Sequence, residues 1–202
     1  MDKKTHWEKV YTTKEPDEVS WTQEIPSTSL DFITSLAPDK NAKIIDIGGG
    51  DSKLADFLLD KGYTDISVLD ISEKALDKAK KRLGKKAGKV KWIVSDITEF
   101  EPDENYDLWH DRATFHFLTQ SEQIEKYTRT ARQAIKGALI LGTFSENGPK
   151  KCSGLDIKQY SEGEMEHLLT ARGFEKIKCI TEDHTTPFGT TQNFLFCSFR
   201  KN

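Results

Sequence analysis

The stretch that decides the fold is KIIDIGGGDSKLADFLL, residues 43–59, in which an apolar run meets three consecutive glycines and then a helical pattern. The run 43–47 is short and rich in isoleucine, which favours a buried strand. The glycines at 48–50 leave a turn in which no β-carbon keeps a ligand away from the backbone. The apolar positions in 54–58 then recur at the spacing of one helix face. The stretch therefore predicts a strand, a ligand-binding turn and a helix in direct succession.

Strand patterns and helical patterns alternate from this stretch to the end of the chain, which is typical of a mainly parallel sheet covered by helices. The predicted strands after the first are DISVLD (65–70), KVKWIVSD (89–96), YDLWHD (106–111), GALILGTF (137–144), EKIKCITED (175–183) and QNFLFCSFRK (192–201). Only a few residues separate the last two strands, so they must form an antiparallel hairpin, because a parallel return needs about a dozen residues or more. We therefore expect an α/β fold: a Rossmann-like, doubly wound seven-stranded sheet, mainly parallel with an antiparallel last strand.

A single domain is predicted for residues 1–202, because a chain of this length buries one sheet with helices on both faces. Residues 1–42 form a lead-in of helices and loops, which we expect to cover the active site. The stretches 119–122 (TQSE) and 161–164 (SEGE) each have the pattern of a capping box and predict two further helix starts.

Charge and hydropathy argue against two classes of partner. The chain has 30 Lys and Arg against 33 Asp and Glu, a formal net charge of -3, which is unfavourable for general binding to nucleic acid or to an anionic membrane. The lysine-rich stretch 73–91 fits a helix with solvated lysines better than an RNA site, since no aromatic residue is interleaved. A mean hydropathy of -0.63 and a polar amino terminus predict neither a membrane span nor a signal peptide.

Cysteine usage indicates the compartment. Cys152, Cys179 and Cys197 are an odd number without the spacing of metal ligands. We interpret them as thiols in a reducing compartment, which predicts a cytoplasmic protein without a bound metal. Nothing in the sequence indicates an oligomeric state.

Two classes of cofactor bind a glycine turn of this kind. A dinucleotide places its pyrophosphate there and requires a further glycine at a position that Lys53 occupies in this chain. Asp46 would also face the phosphates, which is unfavourable in a partly buried site. S-adenosylmethionine carries a sulfonium and an ammonium instead, so an acid before the glycines favours it. A nucleotide-binding oxidoreductase stays open as the alternative.

Acids also end the next two strands, where the ligands of such sheets bind. Asp70, followed by Ile71, can accept both hydroxyls of a ribose, which suits either cofactor. Asp96 can accept a hydrogen bond from an adenine amino group while the backbone of Ile97 contacts the ring edge. Three acids at three successive strand ends are a more specific pattern than the glycine turn alone.

With these residues in place, the chain resembles the class I, seven-stranded S-adenosylmethionine-dependent methyltransferases. DIGGG (46–50) is similar to their first motif, Asp70 to the ribose-binding acid and SDI (95–97) to the adenine-binding segment. The resemblance covers residues 43–202 and implies S-adenosyl-L-methionine as cofactor. The cofactor-binding residues we expect are Asp46, Gly48, Gly49, Gly50, Asp70, Ile71, Asp96, Ile97 and His110.

The lead-in is similar to the elongation-factor lysine methyltransferase-like group of that family, through HWEKVY (6–11) and VSW (19–21). After the fourth strand that group has an acid-lysine-glycine-threonine run with another acid soon after. This chain has DRATFH (111–116), in which Asp111, Arg112 and Thr114 are similar but a histidine replaces the later acid. We therefore expect a small-molecule acceptor, with a protein lysine as the alternative.

Methyl transfer depends mainly on holding the acceptor atom in line with the breaking bond and on excluding water. A base assists where the acceptor must lose a proton, and the end of the fourth strand offers His110, Asp111 and His116 as catalytic candidates. The sixth strand runs parallel to the first five, so the final hairpin should place its turn at the cofactor edge. The acceptor-binding residues we expect are Tyr11, Trp21, Phe115, His184, Phe188 and Gln192. A non-catalytic cofactor-binding module is a further alternative.

Overall fold

A computed structural model describes residues 2–202 as six α-helices and nine strands. The helices are α1 (Lys3–Thr13), α2 (Ser27–Leu36), α3 (Leu54–Asp60), α4 (Glu73–Leu83), α5 (Ser121–Ala134) and α6 (Glu162–Thr170). The strands are β1 (Lys43–Ile47), β2 (Asp65–Asp70), β3 (Val90–Val94), β4 (Tyr106–Arg112), β5 (Ile135–Phe144), β6 (Lys151–Cys152), β7 (Leu155–Asp156), β8 (Phe174–Thr185) and β9 (Thr191–Lys201). Strands β6 and β7 form a small separate hairpin.

The main sheet has the seven strands that the sequence predicts, in the order β3-β2-β1-β4-β5-β9-β8. Strand β1 pairs in parallel with both β2 and β4, so the strand order reverses at β1. Strand β9 is antiparallel to its neighbours β5 and β8, which confirms an antiparallel last strand in a mainly parallel sheet. Ligands of such sheets bind at the carboxyl ends of the strands beside the reversal.

Helices cover both faces of the sheet, which confirms the doubly wound arrangement. One face packs against α5 and α6, with Trp109, Tyr127 and Met165 in its core. The other packs against α2, α3 and α4, with Ile33 and Leu76 in its core. Each fully buried side chain of this size contributes about 1.5–3 kcal/mol relative to an exposed one.

The helix starts agree with the sequence in part. Helix α6 has the predicted capping box, in which Ser161 Oγ accepts from the backbone N–H of Glu164. The box at α5 is formed by Gln120 and Gln123, one residue beyond the predicted pair, because the helix begins at Ser121. Helix α4 packs on the sheet through buried Ala75, Leu76, Ala79 and Leu83, as the sequence predicts.

The cysteines differ from the prediction. Cys179 and Cys197 form a disulfide, because the register of the final hairpin places them directly opposite each other on β8 and β9. Interpreting all three cysteines as thiols was therefore wrong for this pair. Cys152 is a buried free thiol. Within residues 2–202, no helix combines the length and the apolarity that crossing a membrane requires.

Candidate functional site

The turn between β1 and α3 has no room for side chains. Gly48 and Gly50 lie in the left-handed region, with φ of +65° and +51°. A β-carbon on Gly48 would lie 1.7 Å from Thr114 Oγ1, and one on Gly49 would lie 2.5 Å from Asp46 Oδ2. The backbone of Gly48 and Gly49 therefore lines the cleft directly, with the Asp46 carboxylate beside it.

The three acids that the sequence singles out, Asp46, Asp70 and Asp96, line the same cleft, together with Asp51. Asp70 Oδ1 accepts from the backbone N–H of Ser72 at 2.8 Å, and Asp96 Oδ1 accepts from the backbone N–H of Thr98 at 2.8 Å. These bonds fix each carboxyl group at the end of its strand. Ile71 and Ile97 line the cleft beside them.

Burial, together with the charges of Asp51 and Asp46, raises the pKa of Asp70 to about 7. The backbone N–H groups of Ser72 and Gly50 act in the opposite direction. Burial and the neighbouring acids disfavour the ionised form of this carboxyl. A ligand that donates hydrogen bonds to it acts in the opposite direction and favours the ionised form. Ribose hydroxyls are donors of this kind.

His110 lies beside Asp46 because their positions on β4 and β1 are paired in the sheet. Its Nδ1 is 2.7 Å from Asp46 Oδ1, and its Nε2 is 2.9 Å from the Oγ of Ser29 on α2. All three side chains are buried and line the cleft. His110 thus links a carboxylate to a hydroxyl, and both of its ring nitrogens have partners.

Asp111 does not face the cleft, because neighbouring residues of a strand point to opposite faces of the sheet. It is fully buried. Its Oδ1 accepts from the backbone N–H groups of Thr114 and Phe115 at 3.0 and 3.1 Å, and its Oδ2 accepts from Tyr127 Oη at 2.8 Å. Asp111 holds the turn after β4, so the structure corrects the catalytic role that we predicted for it.

His116 and Phe115 are also core residues. The His116 ring packs against Phe144 with ring centroids 4.7 Å apart, and its Nδ1 accepts from the backbone N–H of Phe144 at 3.4 Å. Burial lowers the pKa of His116 to about 3. Phe115 packs against Tyr127, with ring centroids 4.8 Å apart. Neither side chain lines the cleft, which corrects the predicted base and acceptor-binding roles.

The final hairpin has the predicted direction but does not reach the cleft. Its turn carries Phe188, which is 56% exposed. The buried His184 lies with Nε2 2.7 Å from the backbone oxygen of Ser20, so it anchors the lead-in. Gln192 is paired with His184 across the hairpin. The structure therefore corrects the acceptor-binding role predicted for these three residues of the hairpin.

The lead-in covers the cleft with aromatic side chains. Trp7, Tyr11 and Trp21 all line it. Trp7 meets Trp21 and Phe117 edge to face, with ring centroids 5.5 and 5.2 Å apart. A β-carbon on Gly50 would lie 2.7 Å from Tyr11 Oη. The lead-in thus contacts the glycine turn and closes the cleft on that side.

The sequence reasoning gave no role to several residues that line the cleft: Lys3, Ser29, Arg112, Phe117 and Cys152. Burial raises the pKa of the Cys152 thiol to about 12, so this group is protonated at neutral pH. Arg112 follows His110 by two positions on β4 and therefore shares its face. That alternation, together with the similarity of 111–114 to the family's acid-lysine-glycine-threonine run, could have identified it.

Comparisons with known proteins agree with this geometry. A family described as "Methyltransferase domain" matches residues 44–138. Malonyl-[acyl-carrier protein] O-methyltransferase of Anoxybacillus flavithermus is 34% identical over 105 residues, which are 51% of this chain and 39% of that protein. The eEF1A lysine and N-terminal methyltransferase of Mus musculus is 34% identical over 84 residues, 41% of this chain and 12% of that protein. The chain thus spans well under half the length of these curated relatives.

Among solved structures, the fold is similar to 1,6-didemethyltoxoflavin-N1-methyltransferase of Burkholderia thailandensis, crystallised with 1,6-didemethyltoxoflavin and S-adenosylhomocysteine. The TM-score is 0.72 at 15% identity, and the match covers 98% of this chain and 87% of that one. At this identity the likeness shows the fold alone. It extends over the lead-in as well as the sheet.

Proposed function

We propose that this chain is a class I S-adenosylmethionine-dependent methyltransferase that transfers a methyl group to a nucleophilic N, O or S atom of a small-molecule acceptor. One observation carries the proposal. The bare turn at 48–50 opens onto a cleft lined by Asp46, Asp70 and Asp96, at the ends of adjacent strands, and by Asp51 beside the turn. This arrangement favours a cationic, phosphate-free cofactor over a dinucleotide, because Asp46 would repel a pyrophosphate at the turn.

The residues fit the cofactor in a definite order along the cleft. Asp46 and the glycine turn would hold the cationic amino-acid end of the cofactor, because the Asp46 carboxylate lies directly beside the bare turn. Asp70 would accept from the ribose hydroxyls, and Asp96 with Ile97 would contact the adenine. When bound, S-adenosylmethionine supplies an electrophilic methyl group on its sulfonium.

The chain's own residues would position the acceptor, exclude water and move a proton. Trp7, Trp21 and Phe117 form an apolar cover that keeps water from the cleft. Where the acceptor must lose a proton, the Ser29 hydroxyl can relay it to His110, which Asp46 orients through Nδ1. We therefore keep His110 as a catalytic candidate, acting through Ser29, and drop Asp111 and His116.

The covered cleft supports a small acceptor over a folded protein surface. A protein lysine stays the nearest alternative, because the eEF1A lysine and N-terminal methyltransferases are among the relatives. Methylation of a protein lysine would require that lysine side chain to enter the cleft beneath the lead-in. The cytoplasmic location stays a prediction, and the Cys179–Cys197 disulfide removes the all-thiol argument for it. The absence of a nucleic-acid partner also stays a prediction.

Ligand-induced stabilisation tests the cofactor. Saturation with S-adenosylhomocysteine at 100 times its dissociation constant should raise the free energy of unfolding by about 2.7 kcal/mol, whereas NAD should leave it unchanged. The reverse result would favour an oxidoreductase. The activity is tested with methyl-labelled S-adenosylmethionine and a cell extract split into protein, nucleic acid and small molecules. Label in the protein fraction would favour the lysine alternative, and binding with no label anywhere would favour a non-catalytic module.

A further inference from the structure

Arg112, at the end of β4, brings an unpaired positive charge to the cleft. Its Nη1 donates to the backbone oxygen of Trp21 at 3.0 Å, and its guanidinium carbon lies 4.6 Å from the centroid of the Phe194 ring. Its Nε and Nη2 are buried and have no hydrogen-bond partner within the described residues. These two nitrogens form the side of the guanidinium that binds a carboxylate through two parallel bonds.

The groups around Arg112 do not neutralise it. Within residues 2–202, no carboxylate oxygen lies within the 4.0 Å of an ion pair. Among the charged groups, Glu182 has the largest effect on Arg112. Its Oε2 accepts from the Thr28 hydroxyl, and its Oε1 is buried without a hydrogen-bond partner within the described residues, so it makes no ion pair with Arg112. Asp46 is bonded to His110. Leaving a buried charge without a partner is costly, so the arrangement calls for a ligand.

The guanidinium stays charged at neutral pH. Burial lowers the pKa of Arg112 to about 10, and the same charge contributes to the lowered pKa of His184 and of His116. Cys152 also faces Arg112, but its thiol is protonated because burial raises its pKa to about 12. Arg112 therefore stays a cation at neutral pH, beside the neutral His116, His184 and Cys152.

The position of Arg112 assigns it to the acceptor. The proposed ribose and adenine acids follow β2 and β3, on one side of β1, whereas Arg112 ends β4 and packs against Phe194 of β9 on the other side. The aromatic residues Trp7, Trp21 and Phe117 line the same cleft. A planar, partly apolar molecule suits such walls.

We propose that Arg112 binds a carboxylate of the methyl acceptor through Nε and Nη2, so that the substrates are small organic acids with an apolar or aromatic body. This inference rests on the proposed methyl transfer and specifies its substrate class. Because two charge-assisted hydrogen bonds would form in a buried site, an acidic acceptor should bind about tenfold to a hundredfold more tightly than its neutral counterpart.

The first experiment measures binding without catalysis. The protein, saturated with S-adenosylhomocysteine, is titrated with benzoate and with benzamide, and tryptophan fluorescence reports occupancy of the cleft. We expect benzoate to bind at least about tenfold more tightly than benzamide. The preference for benzoate over benzamide should be absent in Arg112→Met and partly retained in Arg112→Lys. The matched control is Arg172→Met, an arginine that pairs with Glu125 outside the cleft.

The second experiment measures transfer to a small-molecule extract divided on an anion exchanger. Labelled products should arise from the retained, acidic fraction, and Arg112→Met should lower this transfer about tenfold to a hundredfold. The dissociation constant for S-adenosylhomocysteine should differ less than threefold between Arg112→Met and the wild-type chain.

Three results would overturn the inference. These are transfer mainly to the neutral fraction, equal binding of benzoate and benzamide, or a large loss of S-adenosylhomocysteine binding in Arg112→Met, which would assign the guanidinium to the cofactor. If the wild-type chain binds S-adenosylhomocysteine and labels nothing, the proposed function fails, and the fluorescence titration still decides the role of Arg112.

Discussion

The two halves of the cleft are built in different ways. The cofactor half consists of the glycine turn and the acids Asp46, Asp70 and Asp96, so each part lies at or just after the end of a strand. The acceptor half brings together Trp7, Trp21, Arg112 and Phe117, from the lead-in and from the region of β4. Backbone geometry sets the first half and long-range packing sets the second. Substitutions in the cofactor half should therefore weaken cofactor binding strongly. Substitutions in the acceptor half should leave cofactor binding nearly unchanged and lower turnover.

The largest effect should come from the glycine turn. In Gly48→Ala the new β-carbon would lie 1.7 Å from Thr114 Oγ1, in addition to the strain of a positive φ. We expect roughly a hundredfold loss of S-adenosylhomocysteine affinity, equivalent to about 2.7 kcal/mol, measured by calorimetry. Gly62→Ala is the matched control, because Gly62 also has a positive φ but its β-carbon would meet nothing within 4 Å. It should lose about 1–2 kcal/mol of stability and bind normally. Equal binding by the two variants would contradict this account of the turn.

Asp70 should show that the cofactor half is built for binding at the expense of stability. Its folded pKa, about 7, lies above the unfolded value of 3.8, so the folded state binds more protons between these values. The free energy of unfolding should therefore fall as pH rises through this window. Between pH 5 and pH 8 the ionisation of Asp70 should cost the ligand-free protein about 2–3 kcal/mol.

Asp70→Asn should remove this cost, so the variant should gain stability over wild type at pH 8 more than at pH 5 in denaturant titrations. The same variant should bind S-adenosylhomocysteine about tenfold or more weakly at pH 8, because an amide is a poorer acceptor than a carboxylate. Asp31→Asn, which removes an exposed acid of α2 outside the cleft, is the control for a general charge effect. A parallel pH profile of stability in Asp70→Asn and wild type would contradict the assignment.

The same contrast explains what could be predicted from the sequence. Asp46, Asp70 and Asp96 were identifiable because each ends a strand whose pattern is strong, and strand ends meet at one edge of a parallel sheet. Asp111 was misassigned because the sequence shows that it is near the site but not which face of β4 it occupies. Choosing His110 over Asp111 needed the pairing of β4 with β1.

The final hairpin shows a second limit. Its strands and direction follow from its short connection, but the distance of its turn from the cleft depends on how β8 and β9 extend the sheet beyond β5. The register that pairs Cys179 with Cys197 is equally invisible in the sequence. Pairing between distant segments is therefore the information that the pattern lacked.

The acceptor half should respond in turnover rather than in cofactor binding. Trp21→Leu removes an aromatic wall that contacts Trp7 and Tyr11. We expect kcat/KM for the labelled acceptor to fall about tenfold, because small displacements of an acceptor have effects of this order. The affinity for S-adenosylhomocysteine should change less than threefold. Trp92→Leu is the matched control, a tryptophan of β3 whose indole donates to the Ala87 backbone oxygen away from the cleft. A larger effect of Trp21→Leu on cofactor binding than on turnover would remove the distinction between the halves.

The smallest effect should come from Glu8, a side chain that joins the lead-in to the end of β2 and the start of α4. Glu8 of α1 accepts from the Glu73 backbone N–H at 2.8 Å and from Ser72 Oγ at 3.2 Å, so it caps α4 from another helix. Glu8→Ala should cost about 0.5–2 kcal/mol of stability, and Glu8→Gln, which keeps an acceptor oxygen without the charge, should cost less. Because the cap ties the cover to the strand end that carries Asp70, its loss should speed release of S-adenosylhomocysteine in stopped flow by about two- to thirtyfold. An unchanged release rate in a destabilised Glu8→Ala would mean that the cover opens without disturbing α4, and that the two halves of the cleft are independent.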